Sequence, residues 1–237
     1  MSSPPAHSAV PPRPLRSGPV SRRFYARPAD ALAVALLGRT LVRVLDDGTR
    51  LAGRIVETEA YLGPQDRAAH CFGGRRTPRN ESMYAQPGTA YVYFTYGMHH
   101  CFNIVCGREG TPAAVLIRAL EPTEGLEEMR RRRSARRGRV VRDTDLCSGP
   151  GRLCEAMAID RRDDGVDLAD QASRLFILRG TGPLSADETL LNTARVGVGY
   201  AGDWADRPLR WCVAGNPHVS RGGSSHAPAG RRGRPLA

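Results

Sequence analysis

The chain of 237 residues contains no lysine; all 35 of its basic residues are arginine. A guanidinium stays protonated and is a poor nucleophile. Schiff-base chemistry is therefore excluded, apart from the terminal amine. Six cysteines, at positions 71, 101, 106, 147, 154 and 212, form no CxxC pair. His99, His100, Cys101 and Cys106 lie close in sequence but match no standard zinc spacing, so neither metal nor cofactor is expected. No apolar run is long enough to span a membrane: "ALAVALLG" is short and follows a charged, proline-rich leader. The expectation is a cytoplasmic protein with reduced thiols that pack as small hydrophobes.

Acids are missing from the first 23 residues and from the last 18, each of which carries four arginines. Both ends also lack apolar periodicity, which predicts disordered basic tails at 1–23 and 220–237 around one domain at 24–219. The net charge is +11, of which the tails supply most. Residues 130–142 add eight arginines and no acid. Such a distribution suits a polyanion such as DNA, and equally a solvated arginine-rich surface.

The pattern alternates strands with few helices. "ARPADALAVALLG" predicts a helix ended by Gly38, followed by strands over "TLVRVL" and "RLAGRIVETEAYL" joined at Asp46-Asp47-Gly48. A Gly/Pro/Arg-rich loop covers 63–90. Residues 91–105 predict a second hairpin, and "AAVLIRALEP" a buried strand. "TEGLEEMRRRR" predicts a helix capped by Thr123, with acids at its front and arginines at its back. "LCSGPGRLCEAMAI" leads into a short helix with Pro150 in its first turn, and "SRLFILRG", "ARVGVGY" and "LRWCVAG" complete the strands. The fold class expected is α+β: one mixed domain with a curved, largely antiparallel sheet and flanking helices.

Strand alternation places Glu57, Glu59 and Tyr61 on one face and Val56, Thr58 and Ala60 on the other. Tyr91 and Tyr93 share a face, and Tyr96 falls at the hairpin turn beside Gly97-Met98, either presented at the tip or folded back on its own hairpin. Arg118 stands inside an apolar strand, where its charge needs a partner. Glu59 would supply one, as a structural ion pair or as a pair that holds a water. Glu57 is expected to be internally hydrogen bonded.

Several long blocks, "GRIVETEAYLGPQDRAAHCFGGRRTPRN", "MYAQPGTAYVYFTYGMHHCFNIV", "AVLIRALEPTEGLEEMR", "LCSGPGRLCEAMAI" and "ARVGVGYAGDWADRPLRWCVAGNPHVS", closely resemble the alkyladenine DNA glycosylases, the methylpurine (3-methyladenine) type found in vertebrates. The likeness runs in order from about Phe24 to Ser220. It implies a monomeric domain that binds duplex DNA from the minor groove, inserts a protruding hairpin, flips a damaged purine into a pocket and hydrolyses its bond to the sugar.

By position, the resemblance makes Tyr96 the intercalating wedge, with Met98 packed near it. Tyr61, His70, Tyr93 and the adjacent Tyr91 enclose the flipped base, and Asn103 crowds the two-amino group of guanine. Glu59 is the general base, and Arg118 and the Val196 carbonyl help to hold the attacking water. Arg75, with Thr77 beside it, meets phosphate. His99 and His100 depart from the aromatics of better-known members, and either could reach a phosphate or the unpaired base. Localisation with the nucleoid would follow. Three rivals use the same residues: a catalytically silent DNA-damage binder, an RNA-binding module that stacks bases on the aromatics, and a glycosidase of free nucleosides.

Overall fold

The protein is described by a computed structural model covering residues 18–220, apart from Tyr96, Arg136, Arg137, Arg139, Thr181 and Pro183. Residues 1–17 and 221–237 of the predicted tails fall outside the described residues, as does the tyrosine expected at the hairpin tip. The expected tail boundaries are corrected at residues 18–23 and at Ser220, which are ordered parts of the domain: Val20 and Ser220 are buried and Arg22 bonds Asp167.

Two short helices, α1 (Arg22–Tyr25) and α2 (Ala29–Leu36), precede the first strands. Strands β1 (Thr40–Val44) and β2 (Arg50–Tyr61) form the predicted hairpin. Residues 62–89 run as a long loop containing two 3-10 turns, Phe72–Gly74 and Glu81–Tyr84. Next come the hairpin β3 (Ala90–Thr95) and β4 (His99–Cys106), strand β5 (Ala113–Glu124) and helices α3 (Leu126–Ala135), α4 (Asp143–Leu146) and α5 (Pro150–Ala156). Short strands β6 (Leu175–Ile177), β7 (Leu190–Thr193) and β8 (Arg210–Val213) close the domain. The eight strands form one sheet in the order β3-β4-β5-β2-β1-β6, with β8 against β2 and β7. Every pairing is antiparallel. The domain is the α+β type expected.

Strand β2 organises the sheet. One edge pairs with β5 along its length, while the other pairs first with β1 and then, from Glu57 to Glu59, with β8. Register shifts between Ile55 and Thr58 mark the handover. A bulge bends a strand and re-aims its side chains. Val56 accordingly packs with Ala119 and Val213, not in the main core that takes Ala60, so the alternation expected through 51–62 is interrupted there. Beyond the bulge it resumes. The Thr58 hydroxyl bonds the Ala33 carbonyl on the helical side, and Glu59 and Tyr61 share the opposite side.

The two faces have different tenants. Val92, Phe102, Ile104, Val115, Ile117 and Leu120 join Leu32, Leu36, Met129 and Leu153 in the main core beneath α2, α3 and α5. On the other face, paired positions Tyr91–Asn103–Leu116–Glu59–Arg210 run as one row across five strands. The 62–89 loop covers that row and packs Ala69, Cys71 and Met83 against Tyr91, Val105 and Ala114. All six cysteines are buried free thiols.

Two expectations are corrected. Thr123 is no helix cap: β5 continues to Glu124, which pairs with Ala52. The turn is made by Gly125, at φ 76°, whose carbonyl accepts the Met129 N–H. A Cβ there would stand 2.5 Å from the Arg50 carbonyl, so glycine is needed. "ARVGVGY" is not a strand either. The strand, β7, ends at Thr193, and Gly199–Trp204 is a 3-10 turn. The backbone leaves the ladder because Arg195 turns inward to Asp66 and the Val196 N–H goes to a carboxylate.

The described arginines of the 130–142 run are paired within the protein. Arg130 bonds Asp143, Arg131 and Arg132 bond Glu128, Arg133 bonds Glu155 and Arg142 bonds Asp145. Its described members therefore favour the solvated-surface reading over a bare polyanion site.

Candidate active site

A pocket opens on the loop-covered face of the sheet. Tyr91 and Tyr93 from β3, Asn103 from β4, Ala114 from β5 and Tyr61 at the end of β2 line it, with Ala68, His70, Met83 and Tyr200 from the loops. It holds about 40 Å³ and adjoins a wider cleft of about 330 Å³ lined by Arg67, Phe72, Arg75, Thr77, Arg79 and Asn80. The His70 and Tyr93 rings meet edge to face at 4.5 Å, and the Tyr91 and Tyr93 rings lie 5.3 Å apart. Rings arranged this way give a slot with electron-rich faces and polar edges.

Hydrogen bonds fix the slot. His70 Nδ1 lies 2.6 Å from the Tyr91 hydroxyl, and the Asn103 amide donates to the Tyr91 carbonyl at 3.0 Å. Burial, reinforced by Arg79 and Arg75, pulls His70 below its ordinary value, so the imidazole is neutral at neutral pH. Burial and then the neighbouring Glu59 hold the Tyr61 phenol well above its ordinary value, which keeps it a proton donor.

Behind Tyr61 stands Glu59, fully buried. Its Oε2 accepts the Tyr61 hydroxyl at 2.9 Å, and its Oε1 accepts the Val196 N–H at 2.7 Å. Arg118 Nη1 lies 3.2 Å from the same Oε1. The family likeness assigns Val196 through its carbonyl; the contact in the structure is through its N–H. Arg118 also departs from expectation, because its shortest bond runs from Nε to Glu57, at 2.9 Å. Burial opposes its charge, but Glu59 and Glu57 outweigh that and hold the guanidinium above its ordinary range. Glu57 is internally hydrogen bonded as expected, by Arg118, Arg210 and Ser220.

A second buried ion pair braces the pocket wall. Asp66 and Arg195 are fully buried and joined by two bonds, at 2.6 and 2.9 Å. Asp66 also takes the Leu62 and Ala68 N–H groups, while Arg195 donates to the Ala60 carbonyl and lies 4.8 Å from the Tyr61 ring. The pair ties the end of β2, the start of the loop and the segment carrying Val196 into one unit.

The remaining expected residues lie further out. Arg75 and Thr77 are in the cleft, where the Thr77 N–H and hydroxyl both bond Asn80. Met98 is exposed at the tip of the β3–β4 hairpin; Tyr96 beside it lies outside the described residues. His99 packs against Gly151, and the His100 ring lies 5.1 Å from Phe94. Among the described residues no group of three His, Cys, Asp or Glu could hold a metal, and no helix is long and apolar enough to cross a membrane. Sequence reasoning missed Tyr200. This tyrosine lines both pocket and cleft, is 73% exposed, and donates to the Ala68 carbonyl at 3.2 Å.

The chain is similar to a mouse DNA-3-methyladenine glycosylase, with 51% identity over 208 residues covering 86% of this chain and 62% of the relative. A human protein of the same name is 54% identical over 202 residues, covering 83% and 66%. The chain thus spans less than two thirds of these mammalian relatives. A shorter relative from Desulfitobacterium hafniense (strain Y51), 42% identical over 204 residues, is covered over 98% of its length and 85% of this chain. The sequence profile of the methylpurine-DNA glycosylases matches residues 23–217, and the chain belongs to that family.

Proposed function

We propose that the protein is a monofunctional DNA glycosylase that excises alkylated or deaminated purines from duplex DNA and leaves an abasic site. One observation carries the reading. A carboxylate with two fixed donors, Glu59, stands directly behind a slot lined by Tyr61, His70, Tyr91 and Tyr93. The relatives named DNA-3-methyladenine glycosylase support it.

In this mechanism the damaged nucleotide leaves the stack and its base enters between Tyr61, Tyr91, Tyr93 and His70. Unstacking costs least at a damaged pair, and Tyr96, with Met98, fills the gap. Arg75 and Thr77 hold the backbone in register without reading sequence. Glu59 takes a proton from a water whose oxygen bonds the anomeric carbon, while the electrons of the glycosidic bond leave with the base. The transition state is oxocarbenium-like, so the carboxylate also opposes its developing positive charge. Arg118 and Val196 orient Glu59 and the water.

Substrates follow from the slot. A purine alkylated at a ring nitrogen, such as 3-methyladenine or 7-methylguanine, is cationic, is favoured by aromatic faces and departs as a neutral base. Hypoxanthine is neutral and needs protonation to leave; ethenoadenine is a further candidate. Asn103, tied to the Tyr91 carbonyl, crowds the amino group of normal guanine. The absence of lysine fits an enzyme that does not cleave the strand. The protein acts as a monomer on double-stranded DNA, in the cytoplasm with the nucleoid, and its basic tails add non-specific affinity.

The test uses duplexes with a single 7-methylguanine, hypoxanthine or ethenoadenine, treated with protein and then alkali. Strand breaks that need alkali and vanish with Glu59→Gln are expected. Tight lesion binding without breaks on any duplex would leave a damage-binding protein instead.

A further inference from the structure

Glu57 is fully buried two residues before Glu59 and collects four donors. Arg118 Nε at 2.9 Å, Arg210 Nε at 2.7 Å and the Ser220 hydroxyl at 2.9 Å reach its Oε1, and the Ser220 N–H reaches its Oε2 at 2.7 Å. Arg118 is therefore divided. Its Nε edge belongs to Glu57, its Nη2 donates to the Ser220 hydroxyl at 3.3 Å, and its Nη1 alone faces Glu59, at 3.2 Å.

The division matters because an arginine left with a single buried carboxylate closes on it with two parallel bonds. Such a pair stabilises the carboxylate against taking a proton. Glu59, so gripped, would have its oxygen lone pairs committed to the guanidinium and withheld from a water. Glu57 and Ser220 prevent this by occupying the other edges of the guanidinium.

We propose that Glu57, assisted by Ser220, is a positioning residue that partitions Arg118 between two carboxylates and so keeps the guanidinium from closing on Glu59 with both edges. The inference rests on Glu59 being the general base, and goes beyond it by assigning work to a carboxylate that touches no substrate.

The charged and titratable groups around the two carboxylates are few. Arg118 comes from β5, Arg210 and Cys212 from β8, Tyr93 and Cys101 from β3 and β4, Tyr61 from β2 itself, and Arg195 from the segment after β7, already joined to Asp66. The thiols and phenols are held above their ordinary values by burial first. Below neutral pH these thiols and phenols stay neutral and the guanidiniums stay charged.

The experiment is single-turnover excision of 7-methylguanine from a duplex as a function of pH. This base is already cationic and needs no acid, so the acid limb reports the general base alone. Glu57→Gln is expected to keep affinity for the lesion duplex, to lower the maximal rate by about 100-fold, and to move the acid limb down by about one pH unit as Arg118 turns wholly onto Glu59. Glu57→Asp should recover part of the rate. A lower rate with the acid limb unmoved would mark Glu57 as merely structural and overturn the proposal. Should Glu57→Gln fail to fold, Ser220→Ala carries the test, with a smaller loss and a limb moved in the same direction; an unmoved limb there overturns it equally. Wild-type protein inactive on every lesion duplex removes the glycosylase reading and this inference together. Wild-type activity abolished by Glu59→Gln but unchanged by Glu57→Gln removes this inference alone.

Discussion

The Tyr61 hydroxyl donates to Glu59 Oε2 at 2.9 Å from a position two residues further along the same strand. The wall of the pocket and the carboxylate behind it are thus one mechanical piece. Tyr61→Phe keeps the ring and removes the bond. Lesion affinity should hold, while the excision rate falls by about tenfold, the effect of freeing one oxygen of a positioned carboxylate. Single-turnover excision beside a binding titration separates the two; equal loss of both would show that the hydroxyl serves binding.

His70 carries a pH prediction. Burial, then Arg79 and Arg75, depress its folded value, so protonation sets in below the ordinary histidine value of about 6.5. Affinity for a duplex containing cationic 7-methylguanine should stay level through neutral pH and fall once the imidazole charges, because two cations would then share the slot. A hypoxanthine duplex should lack that fall, and His70→Gln should abolish it. The check is fluorescence anisotropy across the pH range with Glu59→Gln as the background, so that no base is lost.

Glu57 also couples folding to pH. Burial alone would raise its value, but Arg118, Arg210 and the Ser220 N–H outweigh burial and hold it below the ordinary range. A carboxylate depressed on folding stabilises the protein above its unfolded value, about 4.3, and loses that contribution as pH falls through the folded value. The gap in urea-unfolding stability between wild type and Glu57→Gln should be full at neutral pH and narrow in acid. A gap that stayed constant would assign the loss to packing.

The Asp66–Arg195 pair has no solvent to rescue a lone partner, since both side chains are completely buried. Asp66→Ala strands the guanidinium and should cost about 3–5 kcal/mol of stability. Asp66→Ala with Arg195→Met should recover part of it. Denaturant unfolding of the four-member cycle gives the coupling, and strict additivity would show that the two act separately.

Tyr200 offers an exposed ring at the junction of pocket and cleft. Stacking a base on an aromatic ring contributes about 1–3 kcal/mol, so Tyr200→Ala should weaken lesion binding by about tenfold or more with little change in the rate once bound. Tyr200→Phe should be nearly neutral. An unchanged affinity for Tyr200→Ala would remove this ring from the substrate path.

Strand alternation was sufficient to put Glu59 and Tyr61 side by side and Tyr91 with Tyr93, because period two is local and survives in β2 beyond the bulge. Family likeness supplied His70 and Asn103, which no short-range pattern brings to those strands. The bulge itself was not legible, since nothing in Ile55-Val56-Glu57 signals that β1 hands its edge to β8. Arg210 and Ser220 were also out of reach: they meet Glu57 from more than 150 positions away. The strand expected at "ARVGVGY" failed for a related reason. Its valines suggest a ladder, but its arginine and an amide are claimed by carboxylates from distant parts of the chain.

Ser220 separates two kinds of boundary. The match to the family profile ends at residue 217, three residues short of Ser220. Yet residue 220 lies buried beneath the site and donates twice to Glu57. A chain cut at residue 217 would still contain the residues of all eight strands, while Glu57, beneath the candidate site, lost two of its four donors. The last residue of the profile match and the last residue packed beneath the candidate site are therefore different, and a boundary drawn from the profile alone would cut between them.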